Sequence, residues 1–167
     1  RALAFDANGT MWLSAQAHNA VYIMRPPYDA PLGSIVVAWG WPTQIVSLAG
    51  REAVAVAFRG TASAGVLDTK LATPVELGPT PEVVAARPGS AEAWFALNPA
   101  GQLAAVTLPE GGKPAAERFG KVPFPQGIAF TPDGRWALVT SGGAKALLVF
   151  DAATRAESGR LAFESAP

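Results

Sequence analysis

Cysteine is absent from the 167 residues. That one absence removes disulfide frameworks, thiol nucleophiles and cysteine-based zinc sites together, and it leaves the redox compartment open. Charge is sparse as well: 16% of residues are charged, with 13 Lys and Arg against 13 Asp and Glu, where an average soluble domain carries roughly 25%. A formal net charge of zero creates no field that would draw phosphate backbones or anionic membrane surfaces, so nucleic acid is not an expected partner. No apolar run approaches the ~18 residues that a membrane-spanning helix needs. The longest runs, Ile35–Trp39 and Ala53–Phe58, have the length of strands, and no membrane insertion is expected. There is no phosphate-cradling glycine loop, no Gly-x-Ser-x-Gly elbow, no paired histidine and no basic run, and nothing calls for a cofactor or a bound metal.

Glycine and proline are plentiful, at 17 and 15 residues. This suits many short strands joined by tight turns, because glycine supplies positive φ while proline presets a turn and is kept out of central strands. The length suits one domain with a real core, residues 1–167. The chain opens at Arg1 without a methionine or a basic-then-apolar leader, which reads as a mature product, a proteolytic piece or a segment of a longer protein. Its Ala/Pro/Gly-rich, Lys-poor look favours a periplasmic or extracellular origin.

A repeat organises the chain. Pro-x-x-[Ile/Val/Leu] occurs as Pro42-Thr43-Gln44-Ile45, Pro81-Glu82-Val83-Val84 and Pro125-Gln126-Gly127-Ile128, at intervals of about forty residues. Pro167 falls one further interval on, and Arg1-Ala2-Leu3 is what should follow such a proline. A turn glycine runs in phase, at Gly9, Gly50, Gly89 and Gly134. The units are 1–42, 43–81, 82–125 and 126–167. A period of about forty with turn punctuation and no i, i+3, i+4, i+7 apolar spacing matches propeller blades of four short strands, not a helical repeat. The expected fold class is all-β: a β-propeller of four four-stranded antiparallel blades.

Unit four is the clearest. Ile128–Phe130 is its innermost strand, Thr131-Pro132-Asp133-Gly134 a hairpin turn, Arg135–Thr140 the second strand and Ala146–Phe150 the third; an outer strand ends near Phe163. Unit one repeats this with Leu3–Phe5, Met11–Ser14, Val21–Met24 and Ile35–Val37. In units two and three Val54–Phe58 and Ala93–Leu97 are second strands, and Val66-Leu67-Asp68-Thr69 echoes Val149-Phe150-Asp151-Ala152. The stretch Pro125–Arg135 resembles a YVTN/NHL-type propeller repeat, with the eponymous tetrapeptide represented by Ala137-Leu138-Val139-Thr140. The resemblance implies the fold and little about activity, since similar propellers serve as receptors, scaffolds, lyases and lactonases.

Four units are few for such a ring. Similar proteins close with six to eight blades, and four-blade rings of the hemopexin type lean on a disulfide that this chain cannot form. Each blade must bury both faces, so an open arc leaves two apolar end faces. These should be covered by more blades of a parent protein or by a second copy that completes an eight-blade ring.

Loops between second and third strands, and links between blades, converge on the channel mouth, where rigid sheets hold them for recognition. By register the candidates are Gln16, His18 and Asn19, then Arg59, Asn98 and Lys145, with Trp39, Trp41, Gln44, Glu82, Lys121 and Gln126 on the links. His18 is the sole imidazole and so the one ordinary acid/base at neutral pH. Similar propeller lyases use a rim histidine to take a proton next to a carbonyl, with Asn19 available to orient the ring. Glu82 is the lone acidic rim candidate, which is too little for a calcium site, while Asp6, Asp68, Asp133 and Asp151 occupy turn positions that suit Asp caps. In Trp39-Gly40-Trp41-Pro42 one indole should pack between blades and the other could anchor a partner beside His18, Tyr28 or Arg59. The expected role is a non-catalytic binding or scaffold module, whose binding residues are Trp41, Trp39, His18, Asn19, Arg59 and Lys145. It would take a protein partner or second copy on its end faces and a small molecule at the mouth. The alternatives are a lyase- or lactonase-like enzyme using His18, and an assembly element that forms an eight-blade dimer.

Overall fold

The computed structural model describes residues 2–167. These form sixteen strands and one 3-10 turn at Gln16–His18, arranged as four separate sheets of four strands. The first sheet contains β1 (Leu3–Phe5), β2 (Met11–Ala15), β3 (Ala20–Met24) and β4 (Gly33–Val36). In the second are β5 (Trp41–Ser47), β6 (Ala53–Arg59), β7 (Ser63–Asp68) and β8 (Ala72–Glu76). The third is built from β9 (Thr80–Ala86), β10 (Glu92–Asn98), β11 (Gln102–Thr107) and β12 (Ala115–Phe119), and the fourth from β13 (Pro125–Phe130), β14 (Trp136–Ser141), β15 (Ala146–Asp151) and β16 (Glu157–Ala162). Every sheet is an antiparallel meander in chain order.

The expected strands fall on these elements with small shifts. The run Ile35–Trp39 is not one strand: β4 stops at Val36, and the Val37 amide makes the last bond of the pairing, donating to the Asn19 carbonyl at 2.8 Å. The chain then bends through Gly40, at φ 139°. The four phased glycines join first to second strand in each sheet with nearly one geometry, at φ 72°, 69°, 69° and 67°. That left-handed conformation costs a residue with a Cβ, which is why the punctuation is glycine each time.

Packing follows the alternation of side chains along each strand. In β6, Val54, Val56 and Phe58 face the first sheet, where they meet Trp12, Val21 and Ile23. The alternate residues Ala53, Ala55 and Ala57 face the third sheet and meet Phe95, Leu97 and Val84. In β10, Trp94 turns the other way, into a core with Ala137, Val139, Leu148 and Phe150 of the fourth sheet. Fully burying each such aliphatic or aromatic side chain contributes roughly 1.5–3 kcal/mol. The innermost strand of each sheet packs on the inner half of the preceding one: β5 on β1 and β2, β9 on β5 and β6, β13 on β9 and β10.

Only the middle sheets are covered on both faces. Every residue of β10 is buried, as are the first six of β6, whereas β2 and β14 alternate between buried and half-buried. The outer face of the first sheet carries the cross-strand rows Leu3–Leu13–Tyr22 and Phe5–Met11–Met24, with Leu3 55% and Phe5 47% exposed. The outer face of the fourth carries Ala129–Leu138–Val149 and Thr140–Leu147–Leu161.

The third and fourth sheets are also clamped by charge. Glu92, 5% exposed, accepts from the Trp94 indole at 2.8 Å, from the Thr107 hydroxyl at 3.2 Å and from Arg155 at 2.9 Å, with Arg87 at 3.6 Å. Arg87 in turn donates to the carbonyls of Gly134 and Ala152. A buried carboxylate is tolerable here because several donors replace its water.

Candidate functional site

Each Pro-x-x-[Ile/Val] signature opens or nearly opens an innermost strand, and each carries a one-residue slip in pairing. Pro42 faces Phe58 but Gln44 faces Ala57, which leaves Thr43 without a partner in the ladder. Pro81 faces Leu97 and Val83 faces Ala96, with Glu82 extra; Pro125 faces Ser141 and Gly127 faces Thr140, with Gln126 extra. A bulge re-aims the extra side chain, and proline, which has no N–H to give the ladder, is at home beside one.

Two of these extra residues line one pocket. A cavity of about 210 Å³ is bounded by Gln16, Thr43, Gln44, Arg59, Pro81 and Glu82, at the inner ends of the first three sheets. Gln44 Oε1 accepts from the Val84 amide at 2.9 Å, so Gln44 spans from the second sheet to the edge of the third. The Thr43 hydroxyl donates to the Ala57 carbonyl at 3.1 Å. Asn98 Nδ2 donates to the Pro125 carbonyl at 2.7 Å and, more weakly, to Glu82 at 3.3 Å. Buried Asn98 thereby ties the third sheet to the fourth and steadies Glu82 from behind.

Of the residues expected at the mouth, the structure gathers Gln16, Gln44, Arg59 and Glu82 in this pocket, with Asn98 behind Glu82. Trp41 is the cross-strand partner of Arg59 and is 50% exposed, while Trp39 packs on Phe58 with ring centroids 5.3 Å apart. Tyr28 lies at the other end of the first sheet, where its hydroxyl donates to the Gly9 carbonyl at 2.7 Å. His18 is exposed and lines a separate open depression with Ala15, Gln16 and Ala17. Its Nδ1 pairs with the Tyr22 hydroxyl at 2.8 Å. Asn19 does not orient that ring; it ends the 3-10 turn in the left-handed conformation, at φ 48°. Lys145 is exposed in the loop of the fourth sheet, also at φ 48°. Lys121 is exposed on the link before β13, and Gln126 lies over Gly142. Among the described residues no group of three or more His, Cys, Asp or Glu is placed to hold a metal ion. Sequence reasoning missed Thr43 and Pro81 as lining residues, although the recurrent proline signalled an irregular ladder at both.

Four-stranded meanders stacked through their innermost strands are blades, and the fold is that of a β-propeller. No family model matches the sequence, and no curated protein matches it. Solved structures do share the fold. A dihydro-heme d1 dehydrogenase, NirN, in complex with DHE matches over 99% of this chain and 37% of its own, at 16% identity and a TM-score of 0.82. A putative 6-phosphogluconolactonase from Bacteroides uniformis matches over 99% and 55%, at 12% identity and a TM-score of 0.74. Virginiamycin B lyase from Staphylococcus aureus matches over 98% and 55%, at 13% identity and a TM-score of 0.70. The chain thus spans 37% to 55% of the length of these propellers.

Proposed function

We propose that the chain is a non-catalytic binding and scaffold module of YVTN/NHL-type propeller, made of four repeats, that works through its mouth and through its two end sheets. One observation carries this reading: the outer faces of the first and fourth sheets carry cross-strand rows of apolar side chains, yet about half of Leu3 and Phe5 stays in water. An apolar sheet face of that extent is an association surface. Matching propellers of about twice this length support further blades as the natural cover, supplied by a second copy in the purified chain. Light scattering across a dilution series tests it. The 167-residue protein should run as a dimer, and Leu138→Glu should convert it to a folded monomer; a monodisperse wild-type monomer would sink the reading.

His18 supports a second, enzymatic reading. Its ring is exposed and held by Tyr22 at the edge of the mouth, and lyases and a putative lactonase share the fold. Turnover of a lactone or carbonyl substrate that disappears in His18→Ala favours the enzyme; unchanged turnover removes His18 from any mechanism.

A further inference from the structure

The pocket at the mouth contains two opposite charges that do not pair with each other. The Arg59 guanidinium makes no hydrogen bond or ion pair with any described residue, although four ion pairs form elsewhere among those residues. Glu82 accepts only the long bond from Asn98, which leaves most of its acceptor capacity open. Beside them, the Gln44 amide has used its oxygen on Val84 and keeps its NH₂ free, and the Gln16 amide has no partner among the described residues.

The geometry points to a small zwitterion as the ligand of this pocket, with its carboxylate on the Arg59 guanidinium and its ammonium on the Glu82 carboxylate. The choice follows from charge. A simple anion drawn by Arg59 meets Glu82, and a simple cation drawn by Glu82 meets Arg59, so each gains on one side and loses on the other. A neutral molecule with separated charges gains on both, and the guanidinium fork suits a carboxylate bidentately. The Gln44 NH₂ adds a donor to the carboxylate end. Size agrees with the class: the pocket, about 210 Å³ and open on one side, accommodates an amino acid or a short amino carboxylate. Because Glu82 is a bulge residue and Arg59 a strand terminus, neither side chain is needed by the core, and substitution leaves the sheets intact.

This deepens the mouth half of the binding-module reading and rests on it. The two tests separate because association is read by mass and ligand binding by heat. Isothermal titration calorimetry with glycine, β-alanine and γ-aminobutyrate, beside acetate and ethylammonium, provides the probe set. At least one of the three zwitterions should bind about tenfold more tightly than both acetate and ethylammonium. Arg59→Met and Glu82→Gln should each weaken that zwitterion about tenfold or more with unchanged thermal melting, and Glu82→Gln should at the same time improve acetate. Heats for all three zwitterions that match those of the Arg59→Met variant would overturn the assignment. So would acetate binding as tightly as any zwitterion in the wild-type chain.

Discussion

The second and third sheets differ from the first and fourth in neighbours, not in design. All four are built from the same meander, turn glycine and apolar alternation, yet β6 and β10 are sealed on both faces while β2 and β14 are sealed on one. The end sheets nonetheless keep Leu13, Tyr22, Met24, Leu138, Leu147 and Val149 on their open faces. A strand that faced water on one side for good would alternate apolar with polar. The end sheets therefore keep apolar side chains on the faces that the proposed association would cover.

The sharpest way to probe that contrast is to truncate a tryptophan on each kind of face. Trp94 is fully buried between the third and fourth sheets, edge-on to Phe119, Phe130 and Phe150 at 4.6, 5.1 and 6.3 Å. Trp94→Ala should cost about 3–5 kcal/mol in urea denaturation. Trp136, half-buried on the open face of the fourth sheet, should cost about 1 kcal/mol or less in the folded monomer. Equal losses at both positions would mean that the open face is already covered.

The charge clamp comes next. Glu92→Ala strips the acceptor from Trp94, Thr107 and Arg155 at once, and should cost about 2 kcal/mol. The figure is below that for a fully buried pair because Arg87 and Arg155 still reach water, at 24% and 20% exposure. Denaturation of Glu92→Gln, which retains one acceptor, should fall between the wild type and the alanine variant. Trp41→Ala is smaller still: the exposed indole should cost within about 0.5 kcal/mol, and a larger loss would mark it as a packing residue.

Smallest is an acid effect confined to the turns of the fourth sheet. The Thr131 hydroxyl and then the Arg135 amide hold the Asp133 carboxyl below its ordinary 3.8, and the Thr154 amide and hydroxyl do the same for Asp151. Folded values that lie below unfolded ones contribute stability that is present above about pH 4 and fades as pH falls through the lowered values. The double variant Asp133→Asn, Asp151→Asn keeps oxygen acceptors but does not titrate, so its melting temperature should approach that of the wild type as pH drops from about 6 to about 2. A gap that widens instead would reverse the assignment.

Much of this was legible in the residues because repeats make local signals redundant. The glycines at 9, 50, 89 and 134 and the prolines at 42, 81 and 125 mark equivalent turns and strand starts, and unit four could be read almost strand for strand. Arg59, Gln44, Gln16 and Glu82 could be assigned to the mouth by register alone. Their meeting in one pocket could not, because it depends on how three sheets rotate about the axis. The Glu92 clamp was invisible for a similar reason: Arg155 is 63 residues away, and a glutamate at the start of a strand looks like any other. The Tyr22 partner of His18 was missed because Gln16–His18 was read as open loop, whereas it is a 3-10 turn that ends just before β3.

The unopposed residue in three of the four innermost strands has a consequence for how such a molecule can change. Threonine, glutamate and glutamine already occupy that place in three successive blades. None of them enters the ladder or the apolar alternation, so one letter can be exchanged there without disturbing what lies between the sheets. The mouth is in effect a set of interchangeable keys on a fixed frame, and its chemistry can drift while the architecture stands still.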